Sequence, residues 1–146
     1  MSNRNITETR QTLGSLLRGP YEALQARVYG GLADRGFGDI RPAHSSVFRT
    51  ITAEGSRVSD LAERAQMTKQ SMAYLVEGLA HGGYLAIAPD PDDRRAKRVR
   101  LTEKGLAVWE ALIALSAEAE AEMGRAIGRT EMKELRTLLT KLSTAV

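Results

Sequence analysis

The spacing of apolar positions along the chain changes twice, and those changes predict its elements. From residue 8 to 35, Leu13, Leu16, Leu17, Tyr21, Leu24, Val28 and Leu32 recur at three- and four-residue steps, the signature of one helix face. Pro20 falls inside this run, which predicts a kink or a later helix start. Gly36 and Gly38 predict its end. A second, short helix opens at Arg41-Pro42, carries Val47, Phe48 and Ile51 inward, and stops at Gly55. A third covers 58–65, with Ser59 as its cap and Leu61, Ala62 and Ala65 facing in. After a tight break at Gln66-Met67, Thr68 caps a fourth helix running to about His81. Its buried stripe is Met72, Leu75, Val76 and Leu79, and Gly82-Gly83 closes it.

The period then falls to two. Leu85 and Ile87 alternate with alanines, and Val99 and Leu101 alternate with arginines, so two short strands flank the polar loop 89–97. The helical period returns after Thr102, which caps a long fifth helix marked by Leu106, Trp109, Leu112, Ile113, Met123 and Ile127. Gly128 breaks it, and Thr130 caps a sixth helix with the stripe Met132, Leu135, Leu138, Leu139 and Leu142. The class is mainly α with a small β-hairpin wing: six helices, the hairpin lying between the fourth and fifth. Residues 1–7 read as a loose tail.

Composition narrows this picture. The 146 residues fit one domain, with 42% apolar and 27% charged positions. There is no cysteine, which excludes disulfides, thiol catalysis, cysteine metal sites and thiol redox sensing. The polar N-terminus has no signal-peptide core, and no apolar run is long enough to span a bilayer, so a cytoplasmic location without membrane contact is expected. A net charge of +3 decides little by itself. Its distribution decides more. Arg94, Arg95, Lys97, Arg98 and Arg100 place five cations within seven residues at the hairpin, although Asp90, Asp92 and Asp93 cancel part of that charge.

A short helix, a tight turn, an amphipathic helix and a hairpin, in that order, make a helix-turn-helix with a wing. Burial of the fourth helix's stripe turns Thr68, Lys69, Gln70, Ser71 and Tyr74 outward. Glutamine pairs bidentately with adenine, and lysine donates to guanine or phosphate. The cationic wing, with Arg94, Arg95, Lys97 and Arg98, suits the DNA backbone or a narrow minor groove. Alone, each feature has a plainer reading: Thr68 as a cap, the polar triplet as a solvated face, the hairpin tip as solvated charge. Their combination favours double-stranded DNA. An enzyme is disfavoured. His44 and His81 are the only histidines and have no metal-ligand neighbours, Gly36-Phe37-Gly38 is no nucleotide fingerprint, and no Gly-x-Ser-x-Gly occurs. No metal or cofactor is expected. A winged helix that binds only protein is the stronger rival.

The residues carry a family resemblance over nearly the whole chain. The run Leu61 to Ser71, the segment Leu79 to Leu85, the loop Asp90 to Lys97, and above all Asp93-x-Arg95 followed by Leu101-Thr102-x-x-Gly105 resemble the MarR family of transcriptional regulators. The resemblance implies a ligand-responsive repressor that binds a pseudo-palindromic operator as a dimer. It makes Arg95 the wing arginine and Asp93 its stabilising acidic partner. In many members a small aromatic or phenolic effector releases the DNA, from a pocket between the dimerisation helices and the DNA-binding lobe. Tyr29, His44, Phe48 and Trp109 are the candidates to line it. A regulator with no small-molecule ligand is the alternative.

The expected division is 1–40 as an N-terminal dimerisation helix, 41–102 as the DNA-binding lobe and 103–146 as C-terminal dimerisation helices, all in one integrated domain. Apolar patterning supports the dimer separately. The first, fifth and sixth helices carry more apolar stripe than a small winged lobe can cover, and 132–142 is the main candidate surface.

Overall fold

The computed structural model describes residues 11–146, and the expected tail and the helix start at residue 8 lie outside them. α1 spans Leu13–Asp34. Thr12 caps it, its Oγ1 accepting the Ser15 N–H at 3.2 Å. Pro20 lies within the helix, so it does not end it. At the C-terminus Gly36 takes φ +88°, the Phe37 N–H donates to the Leu32 carbonyl and the Gly36 N–H to that of Ala33. This is the glycine stop that the Gly36-Phe37-Gly38 sequence predicts.

The second helix is shorter than expected. A 3-10 turn, Pro42–His44, leads into α2, Ser45–Phe48, and the helix stops well before Gly55. Hydroxyls after it turn back onto the backbone. Thr50 Oγ1 donates to the Ser46 carbonyl at 2.6 Å and Thr52 Oγ1 to that of Gly55 at 2.6 Å. These bonds compete with helix continuation, so Ile51 falls outside the helix.

The chain next forms a strand that the apolar pattern did not predict. β1, Ser56–Arg57, precedes α3, Val58–Arg64. Pairing holds Arg57 extended, so Arg57 is the N-cap of α3 and Ser59 lies inside the helix, one correction to the expected cap. Gln66 makes the following turn at φ +55°, a left-handed conformation unusual for a side chain with a Cβ. α4 is Lys69–His81, and Thr68 caps it by accepting the Ser71 N–H at 3.0 Å.

β2, Leu85–Pro89, and β3, Lys97–Leu101, form the expected hairpin, paired from Leu85↔Leu101 to Pro89↔Lys97. β1 adds on the other edge of β3, with Ser56 opposite Val99 and Arg57 opposite Arg98. The sheet is antiparallel, in the order β1-β3-β2. α5, Glu103–Ile127, is capped by Thr102, whose Oγ1 accepts the Gly105 N–H at 3.1 Å. α6, Arg129–Ala145, is capped by Gly128 at φ +108°, not by Thr130. The glycine makes the break itself, and the helix resumes at once.

The described residues divide into two compact units, one formed by the chain up to Val28 with Ala114–Val146, the other by Tyr29–Ile113. The second unit has a closed core in which Leu32, Val47, Leu61, Met72, Val76, Leu79, Val99 and Val108 are at most 2% exposed. Tyr84 joins its parts. The hydroxyl donates to Asp39 Oδ1 at 2.6 Å, the ring lies edge-on to Phe37, and Lys104 Nζ sits 4.3 Å from the ring centre. Burial, reinforced by Asp39, pushes the Tyr84 hydroxyl up to about 12, so it stays a donor. In the first unit Arg136 pairs with Glu120, and Arg27 with Glu122 at 3.4 Å.

Two apolar stripes behave differently from their sequence pattern. α5 buries Val108, Ala111, Leu115 and Ala119, whereas Leu106, Trp109 and Ile113 stay exposed. On α6 no residue is buried, and Leu135, Leu138, Leu139 and Leu142 all lie at the surface.

Candidate nucleic-acid interface

α4 is anchored by Met72, Val76 and Leu79, all at most 2% exposed, while Leu75 is half-buried. A helix held on that face turns its opposite face to solvent. Thr68, Lys69, Gln70, Ser71 and Tyr74 are all exposed, as the stripe predicts. Thr68 Oγ1 is engaged twice, accepting the Ser71 N–H and donating to Ser71 Oγ at 2.8 Å. Lys69, Gln70 and Tyr74 carry the outward chemistry: a cation, an amide and an aromatic ring.

The wing is organised by a residue that patterning did not single out. Asp90, 1% exposed, accepts Arg57 Nε at 2.9 Å and a second guanidinium nitrogen at 3.1 Å, a bidentate pair. It also accepts the backbone N–H groups of Asp92 at 2.8 Å and Asp93 at 3.1 Å, which curl the loop into a turn. These donors, Arg57 first, hold its carboxyl well below the usual carboxylate range, against the opposing effect of burial. The Asp-Pro-Asp-Asp run was a turn signal, but the partner is Arg57, which β1 delivers to the hairpin.

That arrangement settles the charge of the wing. Asp90 spends its charge inside, on Arg57 and on Arg98, whose guanidinium lies 3.5 Å away. Arg98 is half-buried and also reaches the Glu54 carbonyl. Asp93 Oδ1 accepts the Arg95 N–H at 3.1 Å and lies 3.5 Å from Arg95 Nε. Arg94, Arg95 and Lys97 are exposed, the Arg95 side chain at 96%. Between wing and helix runs an open groove of about 320 Å³. Arg57 and Ser59 line one side, Lys69 the start of α4, and Asp93, Arg95 and Lys97 the wing. With Arg57 already paired to Asp90, Lys69, Arg95 and Lys97 face the single carboxylate of Asp93, an excess of positive charge that suits a polyanion.

The residues expected to line an effector pocket all fall in the Tyr29–Ile113 unit. Phe48 is 4% exposed and belongs to the core, Tyr29 is half-buried, and Trp109 is 39% exposed on α5. His44 Nδ1 accepts the Arg41 N–H at 2.9 Å. Burial, and then Arg41, lower its pKa against the pull of Asp39, which favours the neutral ring. Among the described residues, no group of His, Asp and Glu could hold a metal ion, and no helix is long and apolar enough to cross a membrane.

Two helices joined by a tight turn, followed by a hairpin strapped to the first of them, define a winged helix-turn-helix protein. Residues 39–96, which hold α4 and most of the wing, match the model of the MarR family. A transcriptional activatory protein of Rhodopseudomonas palustris, BadR, is 36% identical over 64 residues, which are 44% of this chain and 37% of BadR. The match thus spans little more than a third of that relative's length. Solved structures share the fold across the chain. Apo MarR of E. coli superposes with a TM-score of 0.74 at 22% identity, covering 90% of this chain and 96% of that one. The transcriptional repressor CouR bound to a 23-mer DNA duplex does so at 0.75 and 21%, covering 97% and 99%.

Proposed function

We propose that the chain is a sequence-specific, DNA-binding transcriptional regulator that acts as a homodimer on a two-fold operator. The observation that carries this reading is the cationic groove joining the start of α4 to the wing. Lys69, Arg95 and Lys97 face it together, and no acidic residue but Asp93 lines it. An α-helix fits the major groove, and a hairpin beside it reaches backbone or minor groove. In this reading Lys69, Gln70, Ser71 and Tyr74 meet the major groove, with Thr68 capping the helix that presents them. Arg94, Arg95 and Lys97 hold the backbone, and Arg98 stiffens the wing from within. CouR, of the same fold, has been captured on duplex DNA.

Residues 41–102 form the DNA-binding lobe in this proposal, and the helices on either side form the dimer. The exposed leucines of α6 support that assignment. A two-fold pair would set two α4 helices about one DNA turn, ~34 Å, apart. Repressor action and release by an aromatic or phenolic effector near Tyr29, His44, Phe48 and Trp109 are the finer part of the proposal. BadR is described as an activator, so the position of the operator relative to the promoter sets the direction.

Gel retardation with the DNA flanking the chain's own gene tests the reading. Arg95→Ala should weaken binding by about 1–3 kcal/mol and lower the salt slope by about one, without loss of fold. A wild-type chain that retards no DNA would instead favour a winged helix that binds protein.

A further inference from the structure

α4 has one exposed large apolar side chain, and it stands where base edges would be met. Tyr74 is 78% exposed, whereas every other large apolar residue of that helix is buried or half-buried. A tyrosine ring carries a large apolar face, and one this open on a helix with an anchored opposite face is free to meet a partner. Tyr74 lies four residues after Gln70, so the two side chains are neighbours on the outward face. The helix is already held by Met72, Val76 and Leu79, at most 2% exposed, so Tyr74 adds nothing to its packing.

We propose that Tyr74 recognises the C5-methyl group of thymine, one helical turn on from the base pair read by Gln70. This rests on the DNA-binding reading and deepens it. In the major groove the thymine methyl is the apolar mark of an A·T pair, and apolar side chains read it by contact. The amide of Gln70 and the ring of Tyr74 then divide the work on neighbouring pairs. Gln70 reads an adenine by paired hydrogen bonds, and Tyr74 reads a methyl by burial. The first turn of α4 reaches deepest, so Gln70 touches base edges directly, while the longer Tyr74 ring spans the greater distance from the second turn.

Deoxyuridine separates this contact from all others, because it pairs like thymine and lacks only the methyl group. The probe is a duplex enriched by the wild-type chain from a random pool, with each thymine replaced in turn by deoxyuridine. At the thymine read by Tyr74, wild type should lose about fourfold in affinity per half-site, the equivalent of about 0.8 kcal/mol for one buried methyl-sized group. Tyr74→Ala should bind both duplexes equally, and Tyr74→Phe should keep the fourfold difference, since the ring and not the hydroxyl makes the contact. An Arg95→Ala chain should also keep it. If no thymine shows a methyl effect in wild type, or if Tyr74→Ala shows the same effect, the assignment of Tyr74 is wrong while the DNA-binding reading stands. If wild type enriches no sequence, the DNA-binding reading falls and takes this inference with it.

Discussion

Asp90 is a charge that patterning counted against the candidate interface and that the fold spends on holding the wing. Its carboxylate holds Arg57 and two loop N–H groups, so the wing's shape depends on its ionised form. The pH dependence has a definite sign. The folded-state pKa is depressed below the unfolded value of about 4. The stabilisation is therefore complete above that value and is lost as pH falls through and below it. Melting temperatures of wild type and Asp90→Asn should differ at neutral pH and converge below pH ~4. A gap that stays constant with pH would show that charge is not what Asp90 contributes. Thr68 acts more locally. Thr68→Ala removes the N-cap of α4 and should cost about 1 kcal/mol in urea unfolding, whereas Thr68→Ser should cost little.

Among elements, the start of α5 meets the segment joining α4 to β2 where Gly105 passes the Tyr84 carbonyl. A Cβ at Gly105 would lie 2.0 Å from that oxygen and 3.1 Å from Leu101 Cδ2. The oxygen is fixed, since it accepts the Thr102 N–H at 3.1 Å. Gly105→Ala should therefore destabilise by at least the 1–3 kcal/mol usual for overpacking, read as a lowered melting temperature. The long elements were legible because each repeats its period several times. The stripe Met72, Val76, Leu79 is inward as its spacing requires, and the alternation at Val99 and Leu101 is that of a strand. β1 was not, because two residues cannot display a period and their partner strand lies far along the chain. The cap of α3 was misplaced for the same reason, since Arg57 is held extended by β3 and not by any local signal. The exposed groups of the interface could be read from helix spacing, but Asp90 could not, because its role exists only once β1 brings Arg57 to it.

For the molecule as a whole, α6 is the element that the single chain leaves unfinished. Leu138 is 62% exposed and Leu142 40%, on a helix with no buried residue. In the proposed homodimer these leucines are covered. Leu138→Glu with Leu142→Glu should reduce the sedimenting mass to the 15.9 kDa of one chain and weaken operator binding together with it. A wild-type chain already sedimenting at that mass would remove the basis for the two-fold operator. The strap β1 matters at this scale too. A hairpin tip of arginines and lysine would ordinarily sample many positions, and a ligand would have to halt that motion at an entropic cost. Here β1 pairs with β3 and the Arg57–Asp90 bridge closes the loop, so under the proposed function DNA would meet a wing that is already folded. Little of the attraction between cations and phosphates is then spent on ordering the loop, and association should proceed in a single kinetic phase with no later step of wing folding.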